Sequence, residues 1–134
     1  MPAERGADPH LGLAPLEAGE PLERASGAVV LLHGRGASPE DILFSCRSLA
    51  LPGFALLAPR AGGGTWYPNR FTEPLASNEP WLSSALRAVG GLLGRVEARL
   101  PAARTVLLGF SQGACLALEF AARHPRRYGA VVGL

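Results

Sequence analysis

The chain has 134 residues, 48% of them apolar and 18% charged, which fits one domain and excludes a disordered polyelectrolyte. A chain of this size buries roughly two-thirds of its unfolded surface, so a true core is expected. The net charge is only +2, all 13 basic residues are arginine, and apart from Arg123, Arg126 and Arg127 they are scattered, so no stripe for nucleic acid is present.

Cys46 and Cys115 have neither metal-ligand spacing nor a disulfide framework. Cys115 reads as a small core residue, and Cys46 has no assigned role. The first dozen residues carry Glu4 and Asp8 and no apolar run, so no secretory signal is read. No stretch approaches the roughly 20 apolar residues of a membrane span. The expectation is a soluble, cytoplasmic protein.

In chain order, residues 1–10 read as a loose polar terminus. Residues 11–22, with Pro15 and Pro21, suggest an edge strand or hairpin. Ala28-Val29-Val30-Leu31-Leu32 is an unbroken apolar run, as for a strand buried on both faces. It ends in His33-Gly34-Arg35-Gly36-Ala37. Ser38-Pro39-Glu40-Asp41 then combines an N-cap, a proline at the first helical position and first-turn acids, predicting a helix to about residue 50. After Pro52-Gly53 comes a second strand, Phe54-Ala55-Leu56-Leu57-Ala58. Strand, helix, strand in this order implies a parallel sheet.

Residues 59–77 form a long connection of the kind that tends to carry function. Trp66, Tyr67 and Phe71 either line an apolar substrate groove there or cap the end of the sheet. A helix is predicted from about residue 79, capped by Ser77 or Asn78, to residue 100. Its apolar stripe runs from Trp81 and Leu82 through Val89 to Val96 and Leu100. Gly90, Gly91 and Gly94 are expected to weaken it. A strand from Thr105 to Gly109, a helix over 112–123 and a last strand, Ala130-Val131-Val132-Gly133-Leu134, complete the pattern.

Between the fourth strand and its helix lies Gly109-Phe110-Ser111-Gln112-Gly113. G-x-S-x-G in the strand–turn–helix context is the signature of a nucleophile elbow. The spacing has a steric reason: a sharp turn through Ser111 leaves no room for Cβ atoms two positions either side. The bland alternative is a tight turn without chemistry. A serine attacking a carbonyl needs two donors for the developing oxyanion, each worth on the order of 3 kcal/mol. The backbone N–H of Gln112 is one candidate. The other is the N–H of Arg35, in the glycine-flanked loop after the first parallel strand.

Leu-Leu-His-Gly-Arg-Gly-Ala, Pro-Arg-Ala with Thr-Trp-Tyr-Pro after it, Asn-Glu-Pro-Trp and Gly-Phe-Ser-Gln-Gly-Ala together resemble the bacterial phospholipase/carboxylesterase family. These are α/β-hydrolases related to the acyl-protein thioesterases. The resemblance runs from about residue 11 to the end. It implies an α/β-hydrolase fold, a mostly parallel sheet with helices on both faces, cut off after the strand that follows the nucleophile helix. It also implies hydrolysis of small carboxylic esters or thioesters through an acyl-serine, with Ser111 as nucleophile and the N–H groups of Arg35 and Gln112 as oxyanion hole. No metal or organic cofactor is implied.

The departure lies downstream of the serine. In this fold the acid and then the histidine follow the nucleophile. Only 23 residues follow Ser111, without an Asp, and their titratable candidates are Glu119 and His124. On one helix these lie about 12 Å and 20 Å from Ser111, against the roughly 3 Å a general base needs. His33 is expected to steady its loop. The chain therefore reads as an incomplete domain, residues 1–134, impaired in isolation, with an exposed C-terminal strand that invites self-association. A second reading is a catalytically inactive binding module that keeps the half-sheet. A dinucleotide site at Gly34-x-Gly36 fails because the third glycine position is Pro39 and Arg60 stands where an acid is needed.

Overall fold

The structure, a computed structural model, describes residues 8–49 and 51–134. Its strands are β1 (Leu16–Gly19), β2 (Gly27–Leu32), β3 (Phe54–Ala58), β4 (Thr105–Gly109) and β5 (Ala130–Gly133). Three α-helices connect them: α1 (Pro39–Ser45), α2 (Trp81–Glu97) and α3 (Gln112–Arg123). The sheet order is β1-β3-β2-β4-β5, antiparallel only between β1 and β3. The edge element foreseen in residues 11–22 is β1. Of the terminus read as loose, residues 1–7 lie outside the described residues, whereas His10 is buried.

Every residue of β2 is buried, and alternate residues serve opposite faces. Ala28, Val30 and Leu32 join Leu57, Leu107 and the apolar stripe of α2 and α3 in the larger core. Val29 and Leu31 join Ala58, Leu108 and Ile42 of α1 in the smaller one. Each fully buried large side chain contributes about 1.5–3 kcal/mol. Helices thus cover both faces, two on one side and the short α1 on the other.

Helix α1 starts as expected, with the Asp41 N–H donating to Ser38 Oγ at 3.2 Å and Pro39 in the first turn. It stops at Ser45, short of residue 50. There the backbone tightens, with the Arg47 N–H donating to the Phe44 carbonyl at 3.3 Å and the Leu49 N–H to the Cys46 carbonyl at 3.0 Å. The Arg47 guanidinium, 3.7 Å over the Phe44 ring, donates to the same Phe44 carbonyl at 2.6 Å. Helix α2 begins at Trp81 with Pro80 at its N-cap, and the carboxylate of Glu79, just outside, accepts from the Ser83 N–H and Oγ. The expected cap Asn78 is instead buried and accepts from the Asn69 N–H. Gly90, Gly91 and Gly94 do not interrupt α2, since burial of its stripe outweighs about 1 kcal/mol per glycine. No helix among the described residues is long and apolar enough to cross a membrane.

β2 and β4 are neighbours, with Leu32 opposite Gly109. The helix after β2 packs on one face and the helix after β4 on the other. Their loops therefore part at the carboxyl ends of two adjacent strands, where open α/β sheets form a crevice. His33-Gly34-Arg35 and Phe110-Ser111-Gln112 meet there.

Candidate active site

Ser111 has φ 56° and ψ −116°, and among the described non-glycine residues it alone has a positive φ. Such a conformation costs on the order of 1–3 kcal/mol and is held only by its surroundings. A Cβ at Gly109 would overlap the Gly113 carbonyl, and one at Gly113 the Leu32 carbonyl. The chain passes through the turn with only hydrogen atoms between these backbones. The Ser111 N–H donates to the Leu134 carbonyl at 2.9 Å, and the Phe110 N–H to the Leu32 carbonyl at 3.1 Å. Ser111 itself is exposed.

The β2 loop lies against this turn. A Cβ on Gly34 would stand 3.3 Å from the Phe110 carbonyl and 3.5 Å from the Ser111 Cβ. The Gln112 N–H is at the first position of α3, where no intrahelical carbonyl is available and positive partial charge collects. Among the described residues, no hydrogen bond takes the Arg35 N–H, while its neighbours Gly36 and Ala37 donate to Gly64 and Gly34. The Arg35 guanidinium donates to the Pro68 carbonyl at 2.7 Å.

Loop 61–67 closes the far side. Trp66, placed by the sequence either in a groove or at the end of the sheet, is wholly buried and therefore lines no open groove. Its indole N–H donates to the His33 carbonyl at 2.8 Å, and its ring stacks on His33 with centroids 5.0 Å apart. The Gln112 side chain is the unforeseen member. Its Oε1 accepts from the Trp66 N–H at 2.8 Å and from Thr65 Oγ1 at 3.3 Å, while Nε2 donates to the Tyr67 carbonyl at 2.8 Å. A buried primary amide satisfied on both ends pins this loop to the start of α3.

The histidines are all accounted for. His33 Nε2 accepts from the Ala61 N–H at 3.1 Å, so the proton sits on Nδ1 and is donated to the Gly34 carbonyl at 2.8 Å. Burial lowers its pKa, and both nitrogens are occupied by backbone. His10 is buried with both ring nitrogens on backbone groups of loop 61–67. His124 stacks on Phe120 at 4.6 Å at the far end of α3, and Glu119 accepts from Arg123 at 2.7 Å.

The family model for phospholipase/carboxylesterase matches residues 16–134. The chain belongs to this family. A phospholipase/carboxylesterase structure from Dyadobacter fermentans shares 41% identity with it, at a TM-score of 0.86 over 91% of this chain and 60% of that one. Esterase PE8 shares 28% identity, with a TM-score of 0.68 over 91% of this chain and 64% of that one. Acyl-protein thioesterase 2 from Zea mays, at 21% identity and a TM-score of 0.67, shares the fold, over 89% of this chain and 60% of that one. The chain thus spans less than two-thirds of the length of these structures. Among proteins of curated function, none matches the sequence.

In this family member a groove of about 490 Å³ runs along α3, lined by Tyr67, Phe71, Leu75, Leu82, Cys115 and Leu118. Cys115 is one turn beyond Ser111, half-buried on the groove and not a core residue, because position i+4 of α3 faces loop 66–78 and not the sheet. Tyr67 is buried except at this groove, and burial pushes its phenol up to about 12, with Cys115 and Glu119 adding to the effect. A second cavity of about 400 Å³ opens on the α1 side, between His33, Gly34, Phe110 and Leu134.

Asp8, His10 and Ser84 form a cluster with the composition of a catalytic triad and none of its geometry. Ser84 Oγ donates to Asp8 and accepts from the backbone N–H of His10, not from its ring. The Gln112 and His10 contacts escaped the sequence for one reason: their partners lie 45 to 56 residues away along the chain. A polar residue at the start of an apolar helix was the available signal for Gln112; for His10 there was none.

Proposed function

We propose that the Ser111 turn is a nucleophile elbow and that the site performs acyl transfer. Ser111 attacks the carbonyl carbon of a carboxylic ester or thioester, the backbone N–H groups of Arg35 and Gln112 receive the oxyanion, and an acyl-serine forms as the alcohol or thiol leaves. An apolar acyl group lies along the α3 groove past Tyr67, while Trp66 braces the loop from behind. The observation that carries this reading is the positive φ of Ser111, enforced by two glycines that no side chain could replace. A plain turn has no need of such strain.

Proton transfer limits the chain on its own. His33 has no free nitrogen, and Glu119 and His124 lie about 12 Å and 20 Å from Ser111 along α3. Without a base, Ser111 keeps an alcohol's proton and is a weak nucleophile. These placements also favour a second reading, a catalytically silent module that binds acyl groups through the same groove.

Intact mass after exposure to a fluorophosphonate, beside Ser111→Ala, separates the two. An adduct that disappears in Ser111→Ala establishes an activated serine. A folded chain that forms no adduct supports the silent module.

A further inference from the structure

Residues 8–10 precede every strand, yet His10 is only 3% exposed. The Gly62 N–H donates to its Nδ1 at 2.9 Å, and Nε2 lies 2.8 Å from the Trp66 carbonyl. An N–H pointing at Nδ1 needs a lone pair there, so the ring is neutral and its proton on Nε2 is donated to Trp66. The same residue is tied to α2, since its backbone N–H donates to Ser84 Oγ at 3.1 Å. Its ring meets Trp66 and Trp81 at centroid distances of 5.3 and 5.5 Å. The fit leaves no slack, because a Cβ on Gly62 would overlap the Pro9 carbonyl. His10, tied to α2 through Ser84, therefore grips loop 61–67 at two points.

That loop holds both donor peptides. The Gly36 N–H, adjacent to Arg35, donates to the Gly64 carbonyl at 2.7 Å. The Ala61 N–H and the Trp66 indole fix the ring and the carbonyl of His33. The Trp66 N–H fixes the Gln112 side chain. We infer that His10 is a positioning residue of the site: its imidazole sets the loop against which the Arg35 and Gln112 N–H groups are aligned. The inference rests on the reading of those two groups as oxyanion donors.

Amide hydrogen exchange on the ¹⁵N-labelled 134-residue chain tests it, comparing wild type with His10→Phe and His10→Asn. In His10→Phe the Gly36 N–H exchanges about tenfold faster while Val30 and Leu107 in the sheet stay protected. His10→Asn, whose side-chain oxygen can take the place of Nδ1 opposite Gly62, recovers part of the loss. Unchanged exchange at Gly36, or a uniform acceleration that includes Val30 and Leu107, overturns the inference. Should His10→Phe fail to fold, ring ¹⁵N spectra of the wild type decide: a bare Nδ1 with protonated Nε2 supports the clamp, and a protonated Nδ1 refutes it. None of these readouts uses the reactivity of Ser111, so the two failures are told apart: an unreactive serine removes the oxyanion role but not the hold of His10 on loop 61–67, whereas unchanged exchange at Gly36 removes that hold whatever Ser111 does.

Discussion

Replacing Gln112 by Leu removes the amide that joins α3 to loop 61–67 while keeping a similar volume. The Trp66 N–H and the Tyr67 carbonyl each lose a buried partner, although Tyr67 keeps its bond from Thr65 Oγ1 at 2.8 Å. An orphaned buried polar group costs about 1–3 kcal/mol. Leucine recovers about 1–2 kcal/mol by burying methyl groups where the amide stood. The Trp66 N–H carries most of the penalty, because with Leu in place no water can reach it. The net expectation is a loss of about 1 kcal/mol, read from urea denaturation at pH 7.5. Trp66 fluorescence should shift in the folded state as its backbone loses this anchor. A variant as stable as wild type within about 0.5 kcal/mol, with unchanged Trp66 emission, would refute the claim that this amide holds the loop.

Two further outcomes follow from the same geometry. Ser111→Gly relieves the positive φ and should raise stability by about 1 kcal/mol in urea; a destabilised Gly variant would mean that the turn stores no strain. Between about pH 5 and 8, stability should be level at the upper end and fall below about pH 6.5. Burial lowers the pKa of both His10 and His33. Asp8 beside His10, and Asp41 and Glu40 near His33, oppose that shift, while each histidine's neighbouring cation or imidazole assists it. The unfolded chain therefore takes up protons first as pH falls through about 6.5, at up to about 1.4 kcal/mol per pH unit per histidine. Urea midpoints unchanged between pH 7.5 and 5 would contradict the two neutral tautomers.

What could be read without a structure was whatever depends on neighbours in sequence. The parallel strands announce themselves as short apolar runs, since burial on both faces demands them. The serine turn was legible because its steric rule spans five residues: Gly109 and Gly113 are needed by the backbone that passes between them, whatever the rest of the chain does. The start of α1 was legible for the same local reason, a serine cap followed by Pro39, whereas its end was not, because no glycine or proline marks the point where the backbone tightens after Ser45.

The long loop was the reverse case. Nothing within residues 59–77 states that Trp66 turns inward, because its amide is satisfied by Gln112 and its indole by the carbonyl of His33. The aromatic triplet suggested one shared role, yet the structure divides it into a buried brace, Trp66, a groove wall, Tyr67, and an exposed rim, Phe71, which is 72% accessible. His10 lies in what the sequence presents as a polar terminus, and only the folded loop 61–67 gives its two ring nitrogens partners, while α2 holds its backbone N–H.

The sequence by itself determined the strand and helix order, the strained serine and the two glycine-bordered loops, because each is a requirement of a few adjacent residues. Only the tertiary structure decided which side chains hold those loops together. A buried polar atom must find a partner wherever the fold brings one, and here the fold brought His10 to Trp66 and Gly62, and Gln112 to Trp66 and Tyr67.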